Sequence, residues 1–499
     1  MNSEIELKFY APDGCVGELQ QILEKFSVLQ HEERHLRSVY FDTAERHLKK
    51  WRMGLRIRAG DEQNVQTIKT AGRNIGGLHE RPEYNQVIEG NHPQLARFEQ
   101  LSWPDDIELD ALEQQLIPIF VTDFSRTTWL VDLDNETLIE VALDCGFLQS
   151  GEKQEPIQEI ELELVKGDIA QLFYLAGRLT ELSGLQLSSS SKAKRGYALA
   201  DQTPHEQPSL LHFVPLSADM SIPEAFIQSL EYAMHHWQYH QQLYIQSHDL
   251  KALIQLKQAS MLMHQVFNIY QDVVDFNCPW HAELLWWLRQ LSWLEEALSI
   301  EKLLDQHGAF IRKLNNRRTL SRQLEDRLKQ LPDADDVLKL LSSPRYNRLM
   351  VDIVSWLYQG ERVSSVQQIE LLDFAEQALE LSWQELRNSD FGSESISFEQ
   401  YTRMSGRLRR NLMVGNCLGD LFLAEERDDF RLLWLDILGG VDDLQLLEPI
   451  AELIEESDDD DEDIRQVCKW LHRKRESITD AIEFTRIEAL ARTDYWHRE

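Results

Sequence analysis

Apolar and charged residues alternate along much of the first two hundred residues. The alternation is clearest over residues 4–9, 55–58 and 158–164. A period of two predicts β-strands with one apolar and one polar face. Apolar residues at helical spacing interrupt the strands at residues 16–26 and 168–183, where we expect two helices.

Residues after position 200 show helical spacing instead. Apolar positions recur every three or four residues over residues 222–245, 248–276, 282–304 and 366–386, and glycine becomes rare. Segments of this length predict an antiparallel helical bundle. We therefore expect an α+β chain with two domains, the first rich in strands and the second all-α.

The change between the two patterns falls in a stretch that holds four prolines between residues 204 and 223. Prolines among polar residues are typical of a connecting segment. The predicted boundaries are residues 1–202 for the first domain, 203–220 for a linker and 221–499 for the second domain. A run of acidic residues at 457–463 predicts a solvated loop between two helices.

Composition narrows the classes of function. The 499-residue chain has a formal charge of −34, so its surface as a whole repels nucleic acid and anionic lipid. No apolar run is long enough to span a bilayer, and the N-terminus shows no apolar signal segment. Five cysteines without a C-x-x-C pair argue against a zinc ribbon or a disulfide framework. We expect a cytoplasmic protein with no nucleic-acid or membrane partner, whose polyanionic ligands need a local basic cluster.

Charges of both signs recur on one face of several predicted strands. For any single strand, the simplest interpretation is a solvent-facing side of an open sheet. Taken together, the strands favour a closed barrel with a polar interior. Carboxylates two residues apart can hold Mg²⁺ or Mn²⁺, and arginines and lysines on other strands can bind phosphate oxygens.

These segments together resemble the CYTH superfamily, the triphosphate tunnel metalloenzymes. The resemblance covers about residues 1–200. Its motifs are E-x-E-x-K at 4–8, YFDT at 40–43, LRIR at 55–58, TIK at 67–69, LD-x-G at 143–146, EIE at 159–161 and SK with RG at 191–196. One such motif is weak evidence, whereas several in the family's order are specific. The resemblance implies an eight-stranded antiparallel barrel whose tunnel binds triphosphate.

The resemblance also implies a role for individual residues. The metal carboxylates are Glu4, Glu6, Glu159 and Glu161. The triphosphate-binding residues are Lys8, Arg56, Arg58, Lys69, Arg126 and Lys192, with Glu83 and Asp144 as further tunnel acids. Glu4, Glu6, Lys8, Arg56, Arg58 and Lys69 are expected to take part in catalysis. Glu163 follows Glu159 and Glu161 at the same two-residue spacing and so shares their strand face. It either joins them or lies near the tunnel mouth.

The second half resembles the CHAD domain, whose helix signature is H-x-x-R-V-x-x-R-R-L-R. Residues 248–258 read HDLKALIQLKQ, which keeps the histidine and two lysines but loses the arginines. A second segment keeps Arg403, Arg407, Arg409 and Arg410 but has no histidine in the matching position. Polyphosphate is the partner that this resemblance implies, and the lost arginines lead us to expect weak binding or none.

The predicted activity is hydrolysis of inorganic triphosphate to pyrophosphate and phosphate, with Mg²⁺ or Mn²⁺ as cofactor. One ion would orient the triphosphate and a second would activate water. Hydrolysis of thiamine triphosphate and cyclisation of ATP are alternatives within the same superfamily. A non-catalytic polyphosphate-binding protein is an alternative of another class, but it would not need paired carboxylates.

Overall fold

The computed structural model describes residues 3–60, 63–104, 107–202, 207–308, 317–359, 363–455 and 462–497. Contacts divide the chain into two units. The first comprises Met1–Glu206 and Leu338–Gln359, and the second comprises Gln207–Val337 and Gly360–Glu499.

The first unit contains the strands that the alternating pattern predicts. They are β1 (Ser3–Tyr10), β2 (Ser27–Asp42), β3 (Gly54–Arg58), β4 (Asn64–Lys69), β5 (Arg73–Ile75), β6 (Leu78–Ile88), β7 (Ile117–Leu133), β8 (Thr137–Ser150), β9 (Lys153–Lys166) and β10 (Gln186–Leu187). The helices of this unit are α1 (Val16–Leu23), α2 (His47–Lys50), α3 (Leu109–Gln114), α4 (Ile169–Leu179), α5 (Lys192–Asp201) and α12 (Pro344–Gln359), with a 3₁₀ turn at Leu95–Arg97.

Eight of these strands close into an antiparallel barrel. Their order is β1-β9-β8-β7-β2-β3-β4-β6, and β6 pairs again with β1. The short strands β10 and β5 extend the sheet beside β1 and β6. The barrel confirms the predicted fold of the first domain.

Strand β1 shows why the alternating charges do not form a solvent face. Leu7 and Phe9 are fully buried on one side of β1, as an amphipathic strand requires. On the other side, Glu6 is only 4% exposed and Lys8 only 5%. Because both faces are buried, the charged residues point into the barrel, and the open-sheet interpretation is excluded for this strand.

The two helices predicted in the first half are present, with shorter bounds. Helix α4 begins after Asp168, whose Oδ1 accepts a hydrogen bond from the Ala170 amide at 2.9 Å. This cap satisfies one of the amides that have no partner within the helix. Helix α1 ends at Leu23, three residues before the predicted end.

The second unit is helical, as predicted. Its helices are α6 (Ile222–Ser247), α7 (Leu250–Tyr270), α8 (His281–Gln290), α9 (Leu294–Gly308), α10 (Arg317–Leu328), α13 (Leu371–Arg387), α14 (Phe398–Leu418), α15 (Ala424–Gln445), α16 (Glu448–Glu455) and α17 (Glu462–Leu490). Helix α11 (Ala334–Leu341) crosses the boundary between the units. Two 3₁₀ turns lie at Asp390–Gly392 and Gly419–Leu421.

Several bounds in the second unit differ from the prediction. In the segment predicted as a helix over residues 248–276, the helix ends at Tyr270. Val274–Asp275 forms a strand, β11, that pairs with β12 (Ser364–Ser365). The segment 282–304 is divided into α8 and α9 by a turn at residues 291–293. Apolar spacing continues through this turn without glycine or proline, so the pattern gives no sign of the break.

Two sequence predictions fall partly outside the described residues. Linker positions 203–206 and acidic-run positions 457–461 lie outside the residues that the structure describes. The last two positions of the acidic run, 462–463, lie in α17 instead of a loop. We retain the predicted domain boundaries as a proposal, except that Leu338–Gln359 groups with the first unit.

In the part of the chain that the structure describes, no helix combines the length and the apolar character needed to cross a bilayer.

Candidate active site

A cavity of about 540 Å³ lies in the first unit. Nine of the twelve predicted site residues line it. These nine are Glu4, Glu6, Lys8, Arg56, Arg58, Lys69, Arg126, Glu161 and Lys192. They come from five strands and from helix α5, so the barrel brings together residues that are far apart in sequence.

The remaining three predicted residues, Glu83, Asp144 and Glu159, do not line the cavity. Each of them forms an ion pair with a lysine that lines the cavity. Lys69 Nζ lies 2.8 Å from Glu83 Oε2, and Lys192 Nζ lies 2.7 Å from Asp144 Oδ2 and 2.8 Å from Glu159 Oε2. These three acids therefore hold the cavity's lysines in place.

Strand β1 supplies alternate charged residues to the cavity. Lys8 Nζ donates to Glu6 Oε2 at 2.7 Å and also binds Glu161 of β9. Lys69 of β4 binds Glu4. The carboxylates of β1 and β9 are thus paired with lysines.

Glu161 lies at the centre of a second group of charges. Arg126 Nη2 lies 2.6 Å from Glu161 Oε2, and Lys192 Nζ lies 3.0 Å from Glu161 Oε1. With Lys8 as a third partner, the cations hold the pKa of this carboxyl well below its usual range, although burial alone would raise it. Glu161 is therefore ionised at neutral pH.

Two arginines face the cavity with no carboxylate bonded to them among the described residues. Arg56 lies opposite Tyr40 of β2 in register, and its buried Nε has no partner in the part of the chain that the structure describes. Arg58 Nε donates to Ser38 Oγ at 3.3 Å. The charge of Arg56, followed by burial and Arg126, lowers the pKa of Arg58 to about 10. This crowding of positive charge is what a polyanion would relieve.

Glu4 and Glu6 have opposite electrostatic environments although they lie on the same face of β1. Burial, followed by the charge of Glu6, raises the pKa of Glu4 to about 7. Burial also acts to raise the pKa of Glu6, but Lys8 and Lys69 outweigh it and lower the value to about 2. At neutral pH, Glu6 is ionised and Glu4 is only partly so.

The carboxylates that line the cavity fit a hard divalent cation by their chemistry. Glu4, Glu6 and Glu161 offer oxygen ligands, which Mg²⁺ and Mn²⁺ prefer. Among the described residues, however, no three barrel carboxylates bring oxygens within 4.8 Å of one another. Lysines and Arg126 occupy these oxygens instead.

The role of Glu159 as a metal ligand stays a prediction, and in this structure its carboxylate is paired with two cations. It is buried, and besides Lys192 it binds Arg195 of α5. Arg195 Nε also lies 2.6 Å from Glu155 Oε1. Both cations come from α5, so Glu159 fastens this helix to the barrel. Glu163 also does not line the cavity, and in register it lies opposite Glu6.

Helix α5 places Lys192 in the cavity wall. Ser191 caps the helix by accepting a hydrogen bond from the Lys194 amide at 3.2 Å. At Gly196, an added Cβ would lie 2.2 Å from the ring of Phe120, so only glycine allows the helix this close to β7. Tyr197 donates to Asp42 Oδ2 at 2.9 Å and fixes the same helix to the end of β2.

The sequence prediction assigned no role to Arg81, which also lines the cavity. Arg81 lies on β6 opposite Glu4 of β1. The sequence could have indicated Arg81, because it lies two residues before the predicted tunnel residue Glu83 and side chains two apart on a strand share a face. Arg195 stands in the RG motif of residues 191–196, but the motif alone does not indicate its partner Glu159, which is far away in sequence.

Family models match both halves of the chain. A model described as CYTH domain matches residues 2–197. A model described as CHAD domain matches residues 228–434.

A curated relative and two solved structures are similar to parts of the chain. The inorganic triphosphatase of Haemophilus influenzae is 41% identical over 203 residues, which cover 40% of this chain and 56% of that relative. The chain therefore spans little more than half of this relative's length.

The CHAD domain from the plant Ricinus communis is 16% identical, with a TM-score of 0.42, over 57% of this chain and 91% of that one. A candidate adenylyl cyclase from Hippeastrum with a dominant triphosphatase activity is 20% identical, with a TM-score of 0.28, over 40% of this chain and 95% of that one.

Proposed function

We propose that this chain, which carries a CYTH domain followed by a CHAD domain, hydrolyses inorganic triphosphate to pyrophosphate and phosphate. The observation that carries the proposal is the cavity in the first unit, where acids suited to a divalent cation face arginines with no bonded carboxylate. A site for a phosphate polyanion alone would need the arginines but not the acids. The similarity to the inorganic triphosphatase of Haemophilus influenzae supports this choice of substrate.

Each lining cation has a role in the proposed reaction. Arg56 and Arg58 bind phosphate oxygens, since their charges are not neutralised by bonded carboxylates. Lys8, Lys69, Arg126 and Lys192 exchange part of their present pairing with carboxylates for phosphate oxygens. Charge that develops on the leaving pyrophosphate is stabilised by these fixed cations, which need little reorganisation.

We assign Glu4, Glu6 and Glu161 as the residues that would hold Mg²⁺ or Mn²⁺. The bound ion would neutralise phosphate oxygens and lower the pKa of a water molecule. The water oxygen forms a bond to a terminal phosphorus and gives up a proton to solvent, and the bond from that phosphorus to the bridging oxygen breaks, which releases pyrophosphate. Three further acids act on the substrate indirectly, by positioning a cation. Glu83 positions Lys69, Asp144 positions Arg126, and Glu159 positions Lys192.

For the second unit we propose weak binding of polyphosphate or none. Lys257, one of the two lysines left in the first signature segment, is buried, and its Nζ lies 2.9 Å from the Leu291 carbonyl oxygen and 2.5 Å from Glu295 Oε2. Arg409 in the second segment binds Asp442. Glu295 and Asp442 therefore already neutralise these two bases. We also propose a reducing, cytoplasmic location, because all five cysteines are free.

The proposed function is tested by measuring turnover of triphosphate, ATP and thiamine triphosphate side by side, with and without Mg²⁺ or Mn²⁺. We expect metal-dependent release of phosphate and pyrophosphate in equal amounts, with triphosphate the preferred substrate. Preference for thiamine triphosphate, or formation of cyclic AMP from ATP, would replace the substrate assignment. Binding of triphosphate without turnover under any metal condition would contradict the enzymatic assignment.

A further inference from the structure

Helix α12 lies far from the barrel in sequence but packs within the first unit. Its Arg348 reaches Gly177 of α4 so closely that a Cβ at Gly177 would lie 2.7 Å from the guanidinium Nη1. Just before the helix, the Ser342 carbonyl oxygen accepts a hydrogen bond from the Gly184 amide at 3.3 Å. The segment is thus held to the first unit by specific contacts.

Tyr358, near the end of α12, makes the contacts that lead toward the cavity. Its hydroxyl donates to Glu80 Oε2 on β6 at 3.1 Å. The Arg73 guanidinium of β5 lies 5.5 Å from the centre of the Tyr358 ring, and the Phe173 ring of α4 lies 6.3 Å away. One side chain therefore joins α12 to the β5–β6 hairpin and to α4.

Strand β6 connects this contact with the cavity. Glu80 lies opposite Ile5 of β1 and opposite Arg73 of β5. The next residue, Arg81, faces the cavity and lies opposite Glu4. Because neighbouring residues of a strand point to opposite faces, a bond that fixes Glu80 on the outside also fixes Arg81 on the inside.

We propose that Tyr358 is a positioning residue for triphosphate binding, acting through Glu80 on the placement of Arg81 in the cavity wall. The inference rests on the proposed function of the same cavity. Loss of the hydrogen bond would release the outer face of β6 from α12, where the Tyr358 ring would keep only its contacts with Arg73 and Phe173. Arg81 would then sample positions from which it does not meet the substrate, so the affinity for triphosphate falls.

The test is a double-mutant cycle in the full-length protein with Tyr358→Phe, Glu80→Gln and both changes together. We expect each single change to raise KM for triphosphate about three- to tenfold, less than for a lost direct bond to the substrate because both residues act through Arg81, with kcat changed less than about twofold. The double variant is expected to be no worse than Tyr358→Phe alone, since that change already removes the bond that Glu80→Gln weakens. Tyr174→Phe on α4 is the matched control, because Tyr174 is exposed and lies in the same unit.

Amide hydrogen exchange provides a readout that does not depend on activity. Faster exchange is expected over residues 73–88 in Tyr358→Phe and Glu80→Gln, but not in Tyr174→Phe. Unchanged KM in both single variants, losses that multiply in the double variant, or unchanged exchange would each overturn the inference. If the unaltered protein shows no turnover, the proposed function fails, while the exchange measurement still decides whether Tyr358 holds the hairpin.

Discussion

Arg126 and Asp144 form two parallel hydrogen bonds across neighbouring strands. The distances are 2.7 Å from Nε to Oδ1 and 2.7 Å from Nη2 to Oδ2, and Asp144 is completely buried. A bidentate pair of this kind fixes the plane of the guanidinium as well as its position. Arg126 can therefore present its remaining edge to the cavity in one orientation.

Replacing Asp144 tests this arrangement. We expect Asp144→Ala to lower the free energy of unfolding by about 3–5 kcal/mol, because it removes the bidentate partner of the buried Arg126 and leaves that charge with Glu161 alone. Triphosphate turnover should fall as well, since Lys192 also loses a partner. Denaturant unfolding and steady-state kinetics measure the two effects. Asp123→Ala, on the same strand as Arg126 but paired with the exposed His35, serves as a control and should change both quantities little.

The metal assignment predicts that Glu4→Gln and Glu6→Gln each abolish metal-dependent hydrolysis. An amide oxygen is a poorer ligand for a hard cation than a carboxylate. Titration calorimetry with Mg²⁺ or Mn²⁺ should show lost binding, while circular dichroism remains unchanged. Glu163→Gln, which lies off the cavity, is the control. Near-normal turnover in either cavity variant would contradict the assignment.

We expect Arg58, which lies beside Arg56, to contribute to substrate binding and not to the stability of the fold. Arg58→Ala is expected to lower kcat/KM about 10- to 100-fold, because a charge-assisted bond to phosphate contributes about 1.5–3 kcal/mol. Without ligand, the same variant should melt no lower than the unaltered protein, since it relieves repulsion with Arg56 and Arg126. A clear loss of melting temperature would show that Arg58 serves the fold instead.

The raised pKa of Glu4 predicts a pH dependence of metal binding. With a pKa of about 7, Glu4 takes up a proton as the pH falls through neutrality, and the proton competes with the cation. We expect the affinity for Mg²⁺ to drop by up to about tenfold per pH unit below neutrality and to level off at higher pH. Calorimetry across this range in a non-chelating buffer measures the slope. A flat profile would mean that Glu4 is ionised throughout or does not bind the metal.

Much of the barrel and its interior could be predicted from the alternation of charged and apolar residues along the strands. Glu4, Glu6 and Lys8 share one face of β1, and the structure places all three in the cavity wall. Parity does not show whether a charged side chain meets open space or a counter-ion. Glu159 has the same parity as Glu161, but Arg195 and Lys192 cover it.

The position of α12 could not be predicted in the same way. Its apolar spacing indicates a helix with a buried face, but a buried face does not specify the body against which it packs. That information lies in single contacts, such as Tyr358 with Glu80, between residues almost three hundred positions apart. The break between α8 and α9 is another example, because the apolar pattern runs through it.

The return of α12 to the first unit affects the order in which the protein is completed during synthesis. The last barrel strand and α5 leave the ribosome well over a hundred residues before Tyr358 does. At about 5–20 residues per second, the barrel waits on the order of 10 s for the helix that packs on α4 and the β5–β6 hairpin. During that interval the nascent first unit exposes the surface that α12 later covers, so a chaperone has a defined period in which to bind it.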